Sequence, residues 1–390
     1  MPGFVLRRAW SRLTLVLIWS WIAVGLLLVA LTPRVHADNA PMWDSPIGLT
    51  PGGPTTVRMA AEDVEVQVVE RGSAAYAVVA AMFDMLNTGP ARPMQVGFPN
   101  FAYGVVEGDD YSPVTFNPMN ISNFRAWTET ETFLPQRKTV NVGRFGGSEW
   151  FVWTMSYPQG KPTRVHVAYE QKLDEQVDSP WYLPVVHASY VLRTGALWAG
   201  SIGHAKVTFV APNGGGFVGA DHALEASSDR IVWDFEDFKP TFDLDTAYIY
   251  AGPWQELQAA ETAATAENAS PEANLRAAQA VLRVLGTHGS YTQPPALVQR
   301  YADAMRQWAW KATSLDTAPA WEALGDVEHY AASPSTKNHG ELSCWPEAGA
   351  AAYERAAELG SASAAEKRAD LDDTVTWMQS VGLGTPPACG

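Results

Sequence analysis

The chain has 390 residues, with 27 basic against 42 acidic side chains, a net charge of −15 at neutral pH, 16 tryptophans and two cysteines. An acidic balance of this size argues against nucleic acid and anionic lipid surfaces as partners, because both repel it. Two cysteines are too few for a disulfide scaffold, so the chain must rely on buried apolar surface, and it is long enough for one large core or two ordinary ones.

Export is written into the N-terminus. Arg7, Arg8 and Arg12 precede an apolar run from Leu13 to Leu31, and Val35-His36-Ala37 supplies a cleavage site of the A-x-A type. Residues 1–37 thus read as a signal peptide, and the mature chain beginning near Asp38 keeps 23 basic and 42 acidic residues, a net of −19. The run exceeds a signal's usual apolar stretch of about 7–15 residues, so an uncleaved signal anchor is the alternative, with membrane contact through this segment alone. Either way the arginines hold the N-terminus in the cytoplasm and the body faces the exterior, secreted or membrane-anchored.

Residues 38–56, rich in Pro, Gly and polar side chains, read as a linker. Strand patterns begin directly afterwards. Asp63 to Val68 alternates strictly, as in an edge-facing strand, and the apolar run Tyr76 to Leu86 reads as a central one. Further strand candidates are Met94–Phe98, Tyr103–Val106, Thr139–Val142, Glu149–Tyr157, Arg164–Tyr169, Val186–Leu192, Lys206–Val210, Arg230–Phe235 and Thr246–Tyr250. Such short segments, with Gly and Pro in nearly every gap, are the pattern of antiparallel sandwiches or barrels, here one large or two packed modules over 57–252.

The texture changes at Gly252-Pro253, after which Ala, Glu, Gln and Leu dominate. Ser270-Pro271-Glu272 opens a helix that Gly286 can close. Others run from Pro295 to about Ser314, Pro319 to about Ala332 and Pro346 to Leu359, stopped by Gly360. The last begins at Ser363, with Glu366 completing a capping box, and ends near Gly382. The predicted fold class is therefore multidomain α and β: an all-β sandwich region followed by an all-α helical-hairpin domain at 253–390.

Trp321-x2-Leu324-Gly325, followed by Gly349, Tyr353 and Ala356, resembles a degenerate tetratricopeptide unit over 318–360. The pattern departs at Glu328, where that family has Tyr, and at about a dozen extra residues between the helices. The resemblance implies a protein- or peptide-docking scaffold. The β region loosely resembles uncharacterised exported bacterial proteins, through Met59 to Val64, Val96-Gly97-Phe98-Pro99 and the Tyr190 to Ile202 segment. That resemblance implies an extracytoplasmic origin and transfers no active site.

No catalytic constellation emerges. No two histidines have the zincin spacing, and His187, His204 and His222 lie far apart in sequence. Ala199-Gly200-Ser201-Ile202-Gly203 lacks the first glycine of a nucleophile elbow. Asn213 to Gly216 reads as a flexible hairpin tip rather than a phosphate loop. Asp243, Asp245, Asp109 and Asp110 read as turn and loop acids, and no metal or cofactor is predicted. Paired carboxylates for sugar hydrolysis would be sought at Glu149, or at Asp234 and Glu236 around Phe235.

Tryptophan is the unusual feature. Trp150, Trp153 and Trp198 are the candidate ligand-binding rings, with core packing as the competing role. Trp150 and Trp153 differ in parity, so a regular strand puts only one of them on the core side, and the other needs a second covering layer or exposure for a purpose. Cys344 and Cys389 can pair in an oxidising compartment, two inert thiols being the alternative. The expected function is a non-catalytic extracytoplasmic or cell-envelope interaction protein, its helical domain docking protein or peptide; the alternative is a secreted glycan-binding protein or carbohydrate-active enzyme.

Overall fold

The computed structural model describes residues 40–45, 48–103, 116–118, 121–141, 147–173, 175–176, 185–220, 223–285, 296–332 and 345–380. Among these the strands are β1 (Ala40–Ser45), β2 (Gly48–Pro51), β3 (Val57–Arg71), β4 (Ala74–Asn87), β5 (Pro93–Pro99), β6 (Phe101–Tyr103), β7 (Phe116–Pro118), β8 (Ile121–Trp127), β9 (Gln136–Asn141), β10 (Gly147–Ser156), β11 (Pro162–Lys172), β12 (Glu175–Gln176), β13 (Val185–Tyr190), β14 (Ile202–Val210), β15 (Gly216–Ala220), β16 (Glu225–Ala226), β17 (Arg230–Phe238) and β18 (Leu244–Ile249). The helices are α1 (Ala251–Thr265), α2 (Pro271–Leu285), α3 (Ala296–Ala312), α4 (Ala318–Ala332), α5 (Trp345–Glu358) and α6 (Ala364–Ser380). The chain is thus a β region followed by an α region.

The hairpin β3–β4 is the spine of the molecule. It turns at Gly72, whose φ of +66° strains any residue with a side chain. From there β3 and β4 pair from Arg71 opposite Ala74 to Val57 opposite Asn87. A register shift between Met59 and Ala61 inserts one extra residue, so Met59 and Glu62 both face inward despite their opposite parity. Beyond it the alternation is strict: Val64, Val66 and Val68 are buried, Asp63 and Glu65 exposed.

Three sheets form the β region's layers, and β6 and β7 pair apart from them as a two-stranded ribbon. The largest runs β16-β17-β14-β3-β4-β11-β8, with β14 and β3 parallel and every other neighbouring pair antiparallel. Its inner face is covered by two smaller sheets, β2-β1-β5-β10-β9 and β12-β13-β18-β15. One contiguous cluster joins all three: Phe83, Val167 and Phe209 meet Phe98 and Trp153 of the first small sheet and Tyr190 and Tyr248 of the second. The five-stranded sheet curls until β2 and β9 lie alongside each other.

Alternation also explains how the helices attach. In β18, Leu244 and Tyr248 join the β core, while Ala247 and Ile249 face the other way into a second cluster with Trp254, Leu257 and Val281. At Val218, Ala247 and Ile249 the four-stranded sheet is therefore buried on both faces, and the helices form a third layer over that part of it.

Several expectations need correction. The 38–56 segment is not simply a linker, since β1 and β2 occupy Ala40–Ser45 and Gly48–Pro51, and β1 pairs with β5. β3 is not an edge strand: its parallel partner β14 lies far along the chain, where no local pattern reveals it. Its alternation marks an open face instead. The glycine run at 214–216 is no free tip: Cβ atoms at Gly215 and Gly216 would collide with the Tyr248 hydroxyl and the Trp254 ring. Gly215 thus lets the strand pass against β18, and Gly216 lets it pass against the Trp254 ring of α1.

The helix limits follow their local punctuation. Ala273 N–H donates to Ser270 Oγ (3.2 Å) at the start of α2, with Pro271 as its first residue. Gly360, at φ +94°, ends α5, and Ser361 N–H returns to the Ala356 carbonyl in a Schellman closure. The capping box at Ser363 is overridden. Its hydroxyl donates instead to Glu322 Oε1 (2.7 Å), and Ser361 Oγ accepts the Ala364 N–H. Between α4 and α5, Gly325 fits under the Tyr353 ring, Gly349 approaches Glu328, and Arg355 pairs with Asp316, so the two helices run antiparallel.

Candidate docking surface

The tryptophans chosen from the sequence are sealed in the interior. Trp150 is 0%, Trp153 4% and Trp198 3% exposed, which leaves no ring face for a sugar to stack on. The parity argument resolves through a second layer. Trp153 packs with Phe124 and Phe133 in the main core, whereas Trp150 turns to the opposite side of its sheet and donates its indole N–H to Ser148 Oγ (3.0 Å). On that same side Met42 fills the space beside Gly97, which a Cβ there would deny it.

Glu149, Asp234 and Glu236 are dispersed. Glu149, on β10 of the five-stranded sheet, accepts hydrogen bonds from Asn100, just past β5, and from Arg137 on β9. Asp234 and Glu236 stand exposed on β17 of the large sheet, Asp234 paired with His204 at 2.8 Å. His187 lies on β13 beside Asp245, so it does not meet His204. No group of three metal-ligating side chains occurs among the described residues. His222, Asp109, Asp110, Cys344, Cys389 and the export segment 1–37 lie outside the described residues.

Four acids have raised pKa values. Glu62, 1% exposed, is pushed up to about 8 by burial, while the Tyr190 hydroxyl donates to it at 2.7 Å and opposes the shift. Burial likewise raises Asp243, Asp326 and Glu328, which face Arg193, Lys367 and Arg306 respectively. Each is matched to a phenol or a cation rather than to a second raised carboxyl. General acid–base chemistry by a carboxylate pair has no geometry among them.

The outer face of the large sheet presents the better candidate. Register lays Asp234, Lys206, Asp63, Met82, His166 and Trp127 in one row across six strands. In β4 every second residue points outward, so Val78, Ala80 and Met82 form an apolar column, half-exposed or exposed, on a face whose other columns are largely polar. Two bidentate ion pairs close its ends. Arg164 grips Asp84 at 2.8 and 2.9 Å, and Arg71 grips Glu170 at 2.9 and 3.0 Å while lying over the Tyr76 ring at 5.1 Å. Each guanidinium holds its carboxylate below the usual range. Between the clamps the column spans about 13 Å.

One flank of this window is aromatic. The Trp127 and His166 rings stack at 5.2 Å and 9°, with the Arg125 guanidinium 5.8 Å from the Trp127 centroid. The other flank is acidic, with Asp63 and Glu65 exposed on β3. The signal for the window was present in the sequence: Tyr76 to Leu86 is apolar at both parities, as in a strand covered on two faces, yet the face bearing Val78 and Met82 is only half-buried.

No family model matches the chain, and no curated protein matches it. Among solved structures it is similar to a candidate nutrient-binding protein of Legionella pneumophila, at 13% identity and TM-score 0.42, over 70% of this chain and 84% of that one. It is also similar to leukotriene A4 hydrolase of Saccharomyces cerevisiae, at 8% identity and TM-score 0.32, over 83% of this chain and 51% of that one. A third is an M1 zinc metallopeptidase of Deinococcus radiodurans, at 10% identity and TM-score 0.28, over 78% of this chain and 74% of that one. Likenesses this slight carry nothing about function.

Proposed function

We propose that this chain is an exported, non-catalytic binding protein that docks a protein partner on the open face of its seven-stranded sheet. The observation that carries the reading is the Val78–Ala80–Met82 column, apolar and half-exposed at the middle of an otherwise polar face. A contiguous apolar strip rimmed by charge is the anatomy of a protein-binding patch. Trp127, held by its stack on His166, adds a rigid aromatic anchor beside it. The arginine-flanked apolar segment before Ala37 supports placing this face outside the cytoplasm.

Site-specific photo-crosslinking in the native envelope tests the proposal, with the reactive group at position 82 or 168 and, as a control, at exposed position 370 on α6. Discrete adducts from 82 and 168, absent from 370 and abolished by Val78→Lys, support it. Adducts from 370 alone, or none from the sheet face, overturn it. A second reading, docking through the helices, draws on Trp310 and Trp377, 48% and 51% exposed on α3 and α6; crosslinks from positions 310 and 377 would favour it.

A further inference from the structure

Beyond the sheet face, the edge of β17 has the makings of a second site. Its neighbour β16 is two residues long and covers only Ile231 and Val232. Ser227 and Leu224 N–H groups donate to the Arg230 and Val232 carbonyls, so the even-numbered backbone groups of β17 face away from β14. Period two carries that outward aim to the N–H and C=O groups of Asp234 and Glu236. Among the described residues no strand lies beyond them. An uncovered strand edge of this kind is a template for strand addition unless something blunts it.

The side chains bordering this edge differ on its two faces. Outward stand Asp234 and Glu236. Phe235 points to the other side. Asp237, at φ +44°, then swings the chain so that Phe238 falls beside Phe235 rather than opposite it: the rings stack at 4.4 Å and 18°, and Phe242 closes the group at 5.9 and 5.5 Å. All three are half-buried, and Leu224, 66% exposed, flanks the point where β16 stops. His204 engages Asp234 and Arg58 engages Asp237, while the Glu236 carboxylate stands exposed between them.

We infer that the β17 edge binds an extended peptide segment whose residues alternate between cationic and apolar, added as a strand in line with β16. Side chains of an added strand alternate between faces. Those on the outer face meet Asp234 and Glu236 and are matched by Lys or Arg; those on the inner face meet the three phenylalanines and are matched by apolar side chains. Main-chain bonds to residues 234 and 236 set the affinity, and this alternation sets the specificity.

The test uses the whole mature chain and an acetylated, fluorescein-labelled heptapeptide alternating Lys and Phe, read by fluorescence anisotropy. Two forms N-methylated on alternate residues discriminate edge pairing from simple adhesion, because only one edge of the added strand faces β17. One pattern is expected to weaken binding at least about tenfold while the other leaves it unchanged. Glu236→Lys should weaken binding comparably with an unchanged melting temperature, and Phe242→Ser should weaken it without changing the salt dependence. Equal binding of both methylated forms, or of a peptide with the same composition in two blocks, overturns the inference. The outcome is independent of the Met82 face, since none of these variants touches it.

Discussion

The Ala251 backbone N–H donates to Glu70 Oε1 at 2.7 Å, joining residues 181 positions apart in the chain. The same oxygen accepts the Tyr248 hydroxyl at 2.7 Å. Glu70 stands near the end of β3 and Ala251 is the first residue of α1, whose own preceding residue offers no side-chain cap. The central hairpin thus supplies from afar the anion that the helix N-terminus lacks locally.

Glu70→Ala should cost about 1–2 kcal/mol, the worth of a helix cap with a charged acceptor. Urea denaturation measures the loss, and hydrogen exchange should localise it as faster exchange at the amides of Ala251, Gly252 and Trp254. Unchanged exchange there would show that the bond does not hold the helix.

Gly216→Ala forces a methyl group into the Trp254 ring and should cost about 1–3 kcal/mol as overpacking. Gly252→Ala is the control, because a Cβ there meets nothing within 4 Å. Thermal melts of both variants check the contrast: if the two lose stability equally, close approach is not what the glycine run provides.

Glu62 gives stability a pH dependence of definite sign. Its folded pKa of about 8 lies above its ordinary 4.5, so between those values the folded protein holds a proton that the unfolded chain has lost. Stability from this group is intact below about pH 4.5 and falls progressively as pH rises toward 8. Glu62→Gln keeps an acceptor for Tyr190 and removes the titration. Relative to that variant, wild type should weaken from pH 5 to pH 8 in denaturant melts; parallel profiles would show that Glu62 is ionised in the folded state.

Iodide should reach Trp310 and Trp377 and, partially, Trp127, while Trp150, Trp153 and Trp198 stay dark to it. Since Trp310 and Trp377 are exposed as well, glycan titrations should leave the emission of a variant with Phe at 127, 310 and 377 unmoved. A saturable glycan response in that variant would revive sugar binding at a ring other than these.

The sequence alone sufficed wherever a structure is decided within a few residues. Ser270-Pro271 and Gly360 mark helix ends because capping bonds span three to five residues, and Asp63 to Val68 shows its buried parity because neighbouring side chains point to opposite faces. The β-to-α change at residue 252 was legible for the same reason. Tertiary structure decided the rest. β1, the central place of β3 and the packing of Gly216 each depend on a partner distant in the chain, which local composition does not encode. The same holds for the candidate surfaces: the apolar run of β4 and the aromatic residues of β17 are plain in the sequence, but which face stays open, and which edge β16 leaves bare, follows only from how the sheets stack.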